Sequence, residues 1–282
     1  LGDVYKRQIF QLFITRAFVG VIVTLTCLKY LNYKILVIPV YPKLTVIRCV
    51  LMHFGFFIFF ISLEKLSLST VTALFFAAPF FITILSALVL SERIGLIRIL
   101  ILVLGFIGVF LIVKPFKESE FSFFMLAPLF TAFSYAVAMV ISKYTKENEN
   151  AFLQAFQQYS VSLLLSVITY TLILVFPLDM IDKEEWRFIF GSIKFDNYNI
   201  LISIAVLSIF GTLGMTSLIH AYQVGSPITN GPTEYVLLIL AIINGYFFFG
   251  NIPDYLSLAG IILIILGGWA LFFREHQRKK MQ

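Results

Sequence analysis

Long apolar runs, repeated along the whole chain, constrain its fold more than any other feature of the sequence. Crossing the hydrocarbon core of a bilayer takes roughly 20 apolar residues in a helix. Runs of this length also lack the alternation that is typical of barrel strands. The sequence therefore predicts an all-α polytopic membrane protein. Nine segments of the required length can be drawn, at 9–31, 44–63, 68–90, 95–113, 122–142, 151–176, 200–222, 228–250 and 255–273.

The composition excludes most other classes of protein. Only 13% of the residues are charged and 60% are hydrophobic, whereas about a quarter of a soluble domain is charged. The two cysteines, Cys27 and Cys49, fall inside apolar segments and have no metal-ligand spacing. In so apolar a chain, the net charge of +6 reports loop charges and topology. We expect no metal, no cofactor and no nucleic-acid partner.

Lys and Arg residues set the predicted orientation. The side of the membrane that holds the C-terminus carries roughly twice as many Lys and Arg residues as the other side. Since cytoplasmic loops hold the excess of positive charge, we expect the C-terminus, with its basic tail at 276–282, to be cytoplasmic. The predicted location is the cytoplasmic (inner) membrane of a bacterium.

A weak internal repeat links the two ends of the chain. A shift of 159 residues overlays the third and fourth apolar segments on the eighth and ninth, and it places Thr70 on Thr229 and Gly108 on Gly267. When each repeat has an odd number of helices, the two copies have opposite orientations, which is the inverted-repeat design of secondary transporters.

Three stretches resemble the EamA-type family of the drug/metabolite transporter superfamily. They are the run ALFFAAPFFITILSALVLSERIGLIRILILVLGFIGVFLIVKP at 73–115, the GPTEY motif at 231–235 with the FFFGNIPDYLSLAGIILIILGGWALFFRE run at 247–275, and the FITR start of the first segment at 13–16. The resemblance implies ten native helices in two inverted five-helix repeats. Asn251 departs from the pattern, because many relatives carry a glutamate there.

That resemblance gives the predicted organisation of the chain. Residues 9–115 form the first repeat, with four of its five helices, and residues 122–275 form the complete second repeat. We expect residues 1–8 to be a non-native leader and the first native helix to precede residue 9. The chain as given then has nine transmembrane helices of a native ten.

Glu234 is the sharpest candidate for a functional residue. A charged side chain within a membrane span costs roughly 2.5–3.5 kcal/mol and normally faces a partner or a cavity. Asn230 lies on the same helical face, and Gly231 and Pro232 weaken the helix just before Glu234. The functional interpretation is a cavity carboxylate that binds a cationic group or a proton. The alternative is a structural carboxylate, paired across the bundle or lying at the interface.

Other polar groups extend the predicted substrate site. Arg16 suits anion recognition, and the alternative is an arginine that reaches toward the interface near a helix end. The tyrosines Tyr135 and Tyr235 can stack on a substrate or pack against other helices. The remaining candidates are Gln158, Thr212 and Thr216. Each belongs to a row of polar residues spaced four apart on one helical face, which can line a cavity or form hydrogen bonds between helices.

Two regions are predicted to bend or gate. Pro79 removes a backbone hydrogen bond and should bend the third segment, as a hinge or as a packing kink. Glu92 and Arg93 lie at the turn after it, as a gate ion pair or as a solvated turn. Gly231 and Pro232 form the corresponding weak point in the eighth segment.

The function predicted from these features is a secondary transporter, not an enzyme. It would move a small polar metabolite, amino-acid-like or nucleoside-linked, by alternating access, with a coupling proton or a counter-substrate as a further partner. The lipid bilayer is the other partner, and the sequence does not specify an oligomeric state. A non-transporting scaffold or receptor is the alternative. An intramembrane enzyme is the third possible function, although no H-E-x-x-H motif, G-x-S-x-G motif or pair of intramembrane aspartates supports it.

Overall fold

A computed structural model of the chain describes residues 9–33, 39–66, 68–92, 95–114, 123–175, 198–249 and 254–280. All regular structure within these ranges is helical, as the sequence predicts. In chain order the helices are α1 (Ile9–Tyr30), α2 (Pro42–Ser62), α3 (Leu68–Phe75), α4 (Ala78–Val89), α5 (Leu96–Val113), a 3₁₀ turn (Phe123–Met125), α6 (Leu126–Tyr144), α7 (Ala151–Val175), α8 (Tyr198–Val224), α9 (Pro227–Thr233), α10 (Val236–Phe249) and α11 (Tyr255–Lys280).

Seven stretches of the described helices are long and apolar enough to cross a membrane. They correspond to the first seven predicted segments and are Ile9–Tyr30, Pro42–Ser62, Thr70–Val89, Leu96–Val113, Phe123–Tyr144, Ala151–Ile173 and Ile202–Val224. A shorter apolar helix, Tyr255–Ala270, matches the ninth segment. The eighth segment is divided between α9 and α10.

Two helices are interrupted where a proline removes a backbone donor. The break between α3 and α4 falls at Phe76 and Ala77, just before Pro79. The break between α9 and α10 follows Pro232, and the backbone N–H groups of Glu234 and Tyr235 there bond to carbonyls three residues earlier, not four. Because such tight turns replace the regular helical ladder, the chain can change direction at these points.

The helices cluster into two compact units, and each unit takes helices from both predicted repeats. Unit 1 comprises the described parts of 1–64 and 141–224. In it α1 packs on α7 and α8, and α2 packs on α7. Phe10 lies in the core of this unit with Phe57 and Tyr170, at ring-centroid distances of 5.4 and 5.5 Å.

Unit 2 comprises the described parts of 65–140 and 225–282. Its most extensive contact joins α5 to α11, and α4 packs on α9. The backbones of α5 and α11 come close where Gly108 faces Gly260, since a Cβ on either residue would lie within 3 Å of the carbonyl oxygen of the other. Small residues therefore allow this contact.

Some of the predicted features lie outside the described residues. These are the leader at 1–8, Arg93, and the last two residues of the basic tail, 281–282. The boundaries of the two repeats, the total number of spanning helices and the orientation in the membrane stay predictions.

Candidate functional site

Glu234 lies at the break between α9 and α10 in unit 2. It caps the end of α9, and its side chain is 9% exposed. The sequence predicts Glu234 inside a continuous segment, whereas the structure places it where the helix is interrupted. The backbone N–H groups of Glu234 and Tyr235 at this break bond to carbonyls three residues earlier, so the carboxylate projects from a tight turn.

Tyr135 of α6 holds the carboxylate of Glu234. The Tyr135 hydroxyl donates a hydrogen bond of 2.8 Å to Oε1 of Glu234, and both side chains are buried. The ring of Tyr135 also packs on Phe75, the last residue of α3, at 5.6 Å between centroids. A hydrogen bond to a charged acceptor is stronger than one between neutral groups. Tyr135 therefore orients the carboxylate and joins it to the other helix break in the unit.

Tyr235, the neighbour of Glu234, is a packing residue in this structure. Its side chain is 1% exposed and lies in a core with Phe76, Leu102 and Val109. A Cβ at Gly105 would collide with its ring. The predicted role of Tyr235 in substrate binding stays a prediction, and its contacts show that it fixes the position of the break.

The predicted hinge residues of unit 2 lie around the same two breaks. Gly231 of α9 packs against Pro79 of α4, and a Cβ on Gly231 would be 3.4 Å from that of Pro79. Glu92 accepts a 2.5 Å hydrogen bond from Ser226, the residue that precedes α9. This bond ties the turn after α4 to the start of α9. Asn230 lies one helical turn before Glu234 and is partly buried.

Unit 1 contains a separate cavity of about 80 Å³. Arg16 of α1 and Gln158 of α7, both predicted as substrate-binding residues, line it. The amide nitrogen of Gln158 donates to the backbone carbonyl of Cys49, at 3.2 Å. The structure therefore brings two of the predicted residues to one place, although they are far apart in the sequence.

His53 and Ser162 also line this cavity, and neither was among the predicted substrate-binding residues. The Nδ1 atom of His53 lies 2.9 Å from the hydroxyl oxygen of Ser162. Tyr159 lines the wall beside them, and its ring packs against Gly20, where a Cβ would collide with it. The even spacing of Gln158 and Ser162 on one helical face was the available signal for this wall.

Thr212 and Thr216 are buried in α8, and their hydroxyls bond within their own helix. Thr212 donates to the carbonyl of Ser208 at 2.7 Å, and Thr216 donates to that of Thr212 at 2.8 Å. The spacing of four thus coincides with bonding to the preceding turn. Whether these hydroxyls also accept a bond from a substrate stays a prediction.

Arg48 is a buried charge that the sequence analysis did not single out. It is 2% exposed, and its guanidinium donates to the side-chain oxygen of Gln157 at 2.8 Å and to the backbone carbonyl of Gln154 at 3.2 Å. Its position inside the second apolar segment was the signal. Arg48 fastens α2 to α7 through these bonds.

The arrangement supports binding of polar groups by side chains. Within the described ranges, no group of three His, Cys, Asp or Glu residues could hold a metal ion. Unit 2 offers a buried carboxylate that suits a cationic group, and unit 1 offers a guanidinium beside a small cavity. Charged side chains among membrane helices typically mark pathways for ions or substrates. These features define a polytopic membrane protein with polar and charged side chains buried among its helices.

Comparisons with known proteins agree with this class. The model of the EamA-like transporter family matches residues 5–114 and 122–273. The chain therefore belongs to the EamA-like transporter family, as its motifs predict, and is an integral membrane protein.

Named relatives of the chain transport small metabolites. It is 26% identical over 243 residues to the S-adenosylmethionine uptake transporter of Rickettsia conorii (strain Malish 7), and this alignment covers 85% of this chain and 74% of that protein. It is 26% identical over 213 residues to the pseudopaline exporter CntI of Pseudomonas aeruginosa (strain UCBPP-PA14), which covers 76% of this chain and 69% of that protein. These relatives support a transporter of small metabolites.

A solved structure supports the fold independently. A crystal structure of a protein superposes on this chain with a TM-score of 0.77 at 16% identity, and the match covers 95% of this chain and 88% of that one. At this level of identity the likeness shows the fold alone.

Proposed function

We propose that the chain is a secondary transporter that moves a small polar metabolite by alternating access, with Glu234 as a substrate-binding group. The observation that carries the proposal is the hydrogen bond between Tyr135 and Glu234 at a helix break. In secondary transporters, binding sites form where helices are discontinuous and leave backbone groups open to a ligand. A buried carboxylate at that point attracts a cationic group of the substrate or a coupling proton.

The neighbouring residues have distinct roles in this proposal. Tyr135 orients the carboxylate, and Asn230 offers an amide one turn earlier on α9. Gly231 and Pro232 keep the break open, while Pro79 does so in the other interrupted helix of the unit. The bond from Ser226 to Glu92 would hold the turn after α4 closed in one state of the cycle, which makes Glu92 a gate residue. The predicted partner of Glu92 at this gate is Arg93.

The substrate class follows from the charges and the relatives together. The buried carboxylate of Glu234 suits a metabolite with a cationic group, and the guanidinium of Arg16 suits a metabolite with an anionic group. Two relatives of the chain carry S-adenosylmethionine inward and pseudopaline outward, respectively. We propose an amino-acid-like or nucleoside-linked metabolite, carried across the cytoplasmic membrane of a bacterium with the C-terminus in the cytoplasm. The relatives differ in direction, so direction is not part of the proposal.

Counterflow in proteoliposomes tests this function. The full chain is reconstituted with unlabelled S-adenosylmethionine or one of a panel of amino acids inside, and uptake of the same compound in labelled form is measured. We expect saturable accumulation for at least one compound, which protein-free liposomes do not show. Liposomes with correctly folded protein that accumulate none of these compounds would contradict the proposed substrate class.

A further inference from the structure

We infer that the cavity of unit 1 is a subsite for a carboxylate group of the transported metabolite, with Arg16 as its main ligand. The inference rests on the proposed transport function and deepens it, because it assigns the anionic part of the substrate to a defined place. It also gives a binding role to His53, Ser162 and Tyr159.

The charge on the cavity wall is the first observation. Ten residues line the cavity, among them Arg16, His53 and Tyr159, and none of the ten is acidic. In the part of the chain that the structure describes, Arg16 makes no hydrogen bond or ion pair. A guanidinium among apolar helices is costly unless an anion or several acceptors accompany it. An anionic guest would supply the missing acceptor.

The polar atoms near Arg16 are the second observation. The hydroxyl of Tyr159 is buried and has no hydrogen-bond partner among the described residues. A buried hydroxyl without a partner is unfavourable, and a carboxylate oxygen would accept from it. If Ser162 donates to Nδ1 of His53, the other ring nitrogen carries a proton and is a further donor.

The size of the cavity limits what can bind there. Its volume is about 80 Å³, whereas sites for whole drug-sized ligands span roughly 300–1,000 Å³. The cavity therefore admits a head group and not a complete metabolite. A planar guanidinium binds a carboxylate through two parallel hydrogen bonds, and this geometry suits a small site with one cation. Phe13, Phe56 and Met215 provide the apolar remainder of the wall.

Ligand-dependent unfolding tests the subsite without any transport measurement. The full chain is purified in phosphatidylcholine nanodiscs, and its melting temperature is followed while sodium acetate, sodium phosphate or sodium chloride is added at equal ionic strength. We expect acetate to raise the melting temperature saturably and chloride to leave it unchanged. A response to phosphate alone, or no response to acetate, would overturn the carboxylate assignment.

Variants locate the response at Arg16. Arg16→Gln should abolish the shift with acetate. Arg16→Lys keeps the charge without the planar fork and should raise the half-saturating acetate concentration about tenfold. Lys29→Gln, on the same helix at an exposed position, is the matched control and should respond like the original chain. If Arg16→Gln does not fold, the acetate titration of Arg16→Lys tests the inference alone. A half-saturating acetate concentration equal to that of the original chain would contradict it.

The outcome is separable from that of the proposed transport function. A chain that carries a metabolite in counterflow but shows no Arg16-dependent shift with acetate refutes the subsite alone. A chain with that shift and no counterflow of any compound in the panel contradicts the proposed substrate class and leaves a carboxylate-binding membrane protein.

Discussion

The hydroxyl of Tyr235 lies 3.5 Å from the backbone carbonyl of Phe76, to which it donates a hydrogen bond, and the two residues are 159 positions apart. Their rings pack at 5.9 Å between centroids. The same shift of 159 positions relates the two copies of the sequence repeat. Each of these residues lies in a helix break, so the two breaks of unit 2 touch each other through equivalent positions.

Other contacts in unit 2 obey the same relation. Helices α3 and α9 begin 159 positions apart, at Leu68 and Pro227, and so do α5 and α11. Gly108 contacts Gly260, and the equivalent pair, Ile101 and Gly267, is also in contact. Reciprocal pairs of this kind are expected of two segments related by a twofold rotation. The contacts therefore support the proposed repeat in this part of the chain.

Gly105 is predicted to be indispensable for this packing. A side chain there would collide with the buried ring of Tyr235, and forcing extra atoms into a packed core typically costs about 1–3 kcal/mol. We expect Gly105→Val to lower the free energy of unfolding by about that amount, measured by chemical denaturation in detergent. Gly268→Val is the control, because a Cβ at Gly268 has no neighbour within 4 Å. Equal losses in both variants would contradict the packing role.

Arg48 is predicted to stabilise unit 1 through its bonds to α7. Arg48→Met leaves the side-chain oxygen of Gln157 without this donor, and losing a charged hydrogen bond should lower the free energy of unfolding by about 1.5–3 kcal/mol. The double variant Arg48→Met/Gln157→Leu should lose less than the sum of the single variants, because no orphaned acceptor remains. Lys43→Met, exposed on the same helix, should change stability little. Additive losses would show that the two residues do not interact.

The ion pair between Lys114 and Asp254 predicts a pH dependence of stability. Hydrogen bonds from Lys114 and then Ser257 hold the pKa of Asp254 below its ordinary value. Because the pKa of Asp254 is lower in the folded state, the ion pair contributes fully to stability above the unfolded carboxyl pKa of about 3.9. This contribution is lost as the pH falls below that value.

Thermal unfolding of Asp254→Asn checks this expectation. The variant should melt slightly below the original chain at neutral pH, and the difference should shrink as the pH falls below about 4. The effect should be small, because the pair is exposed and screened by solvent. Glu147→Gln is the control, since Glu147 pairs with its neighbour Lys146 at the surface. A difference that grows on acidification would contradict the assignment.

The fold was predictable because apolar length and charge determine which segments can enter a membrane. Glu234 stood out for the same reason, as a carboxylate within an apolar run. Its place at a break, and not inside a helix, depends on the conformation of the turn after Pro232. Local helix propensity does not determine that conformation. The sequence predicts a bend at Pro79, but it does not indicate that the two helix breaks of unit 2 are in contact.

The cavity of unit 1 could not be predicted from the sequence. Arg16 and Gln158 meet because α1 packs on α7, and that pairing depends on the shapes of helix faces distributed over the whole chain. The sequence does not link His53 to the site, and only the folded structure places Ser162 beside it. The burial of Arg48 was also not predictable, because it follows from the packing of α2 on α7.

Transport by Glu234→Gln tests the central proposal most directly. The substitution keeps the shape of the side chain and its hydrogen bond from Tyr135, but it removes the charge. With a compound that the original chain carries in counterflow, we expect Glu234→Gln to lose at least about tenfold in rate, which is 1.4 kcal/mol of transition-state free energy. Glu234→Asp should retain part of the rate, and Glu147→Gln should retain all of it. Counterflow by Glu234→Gln at the original rate, in protein that is equally folded and inserted, would contradict the assignment of Glu234 as the substrate-binding carboxylate.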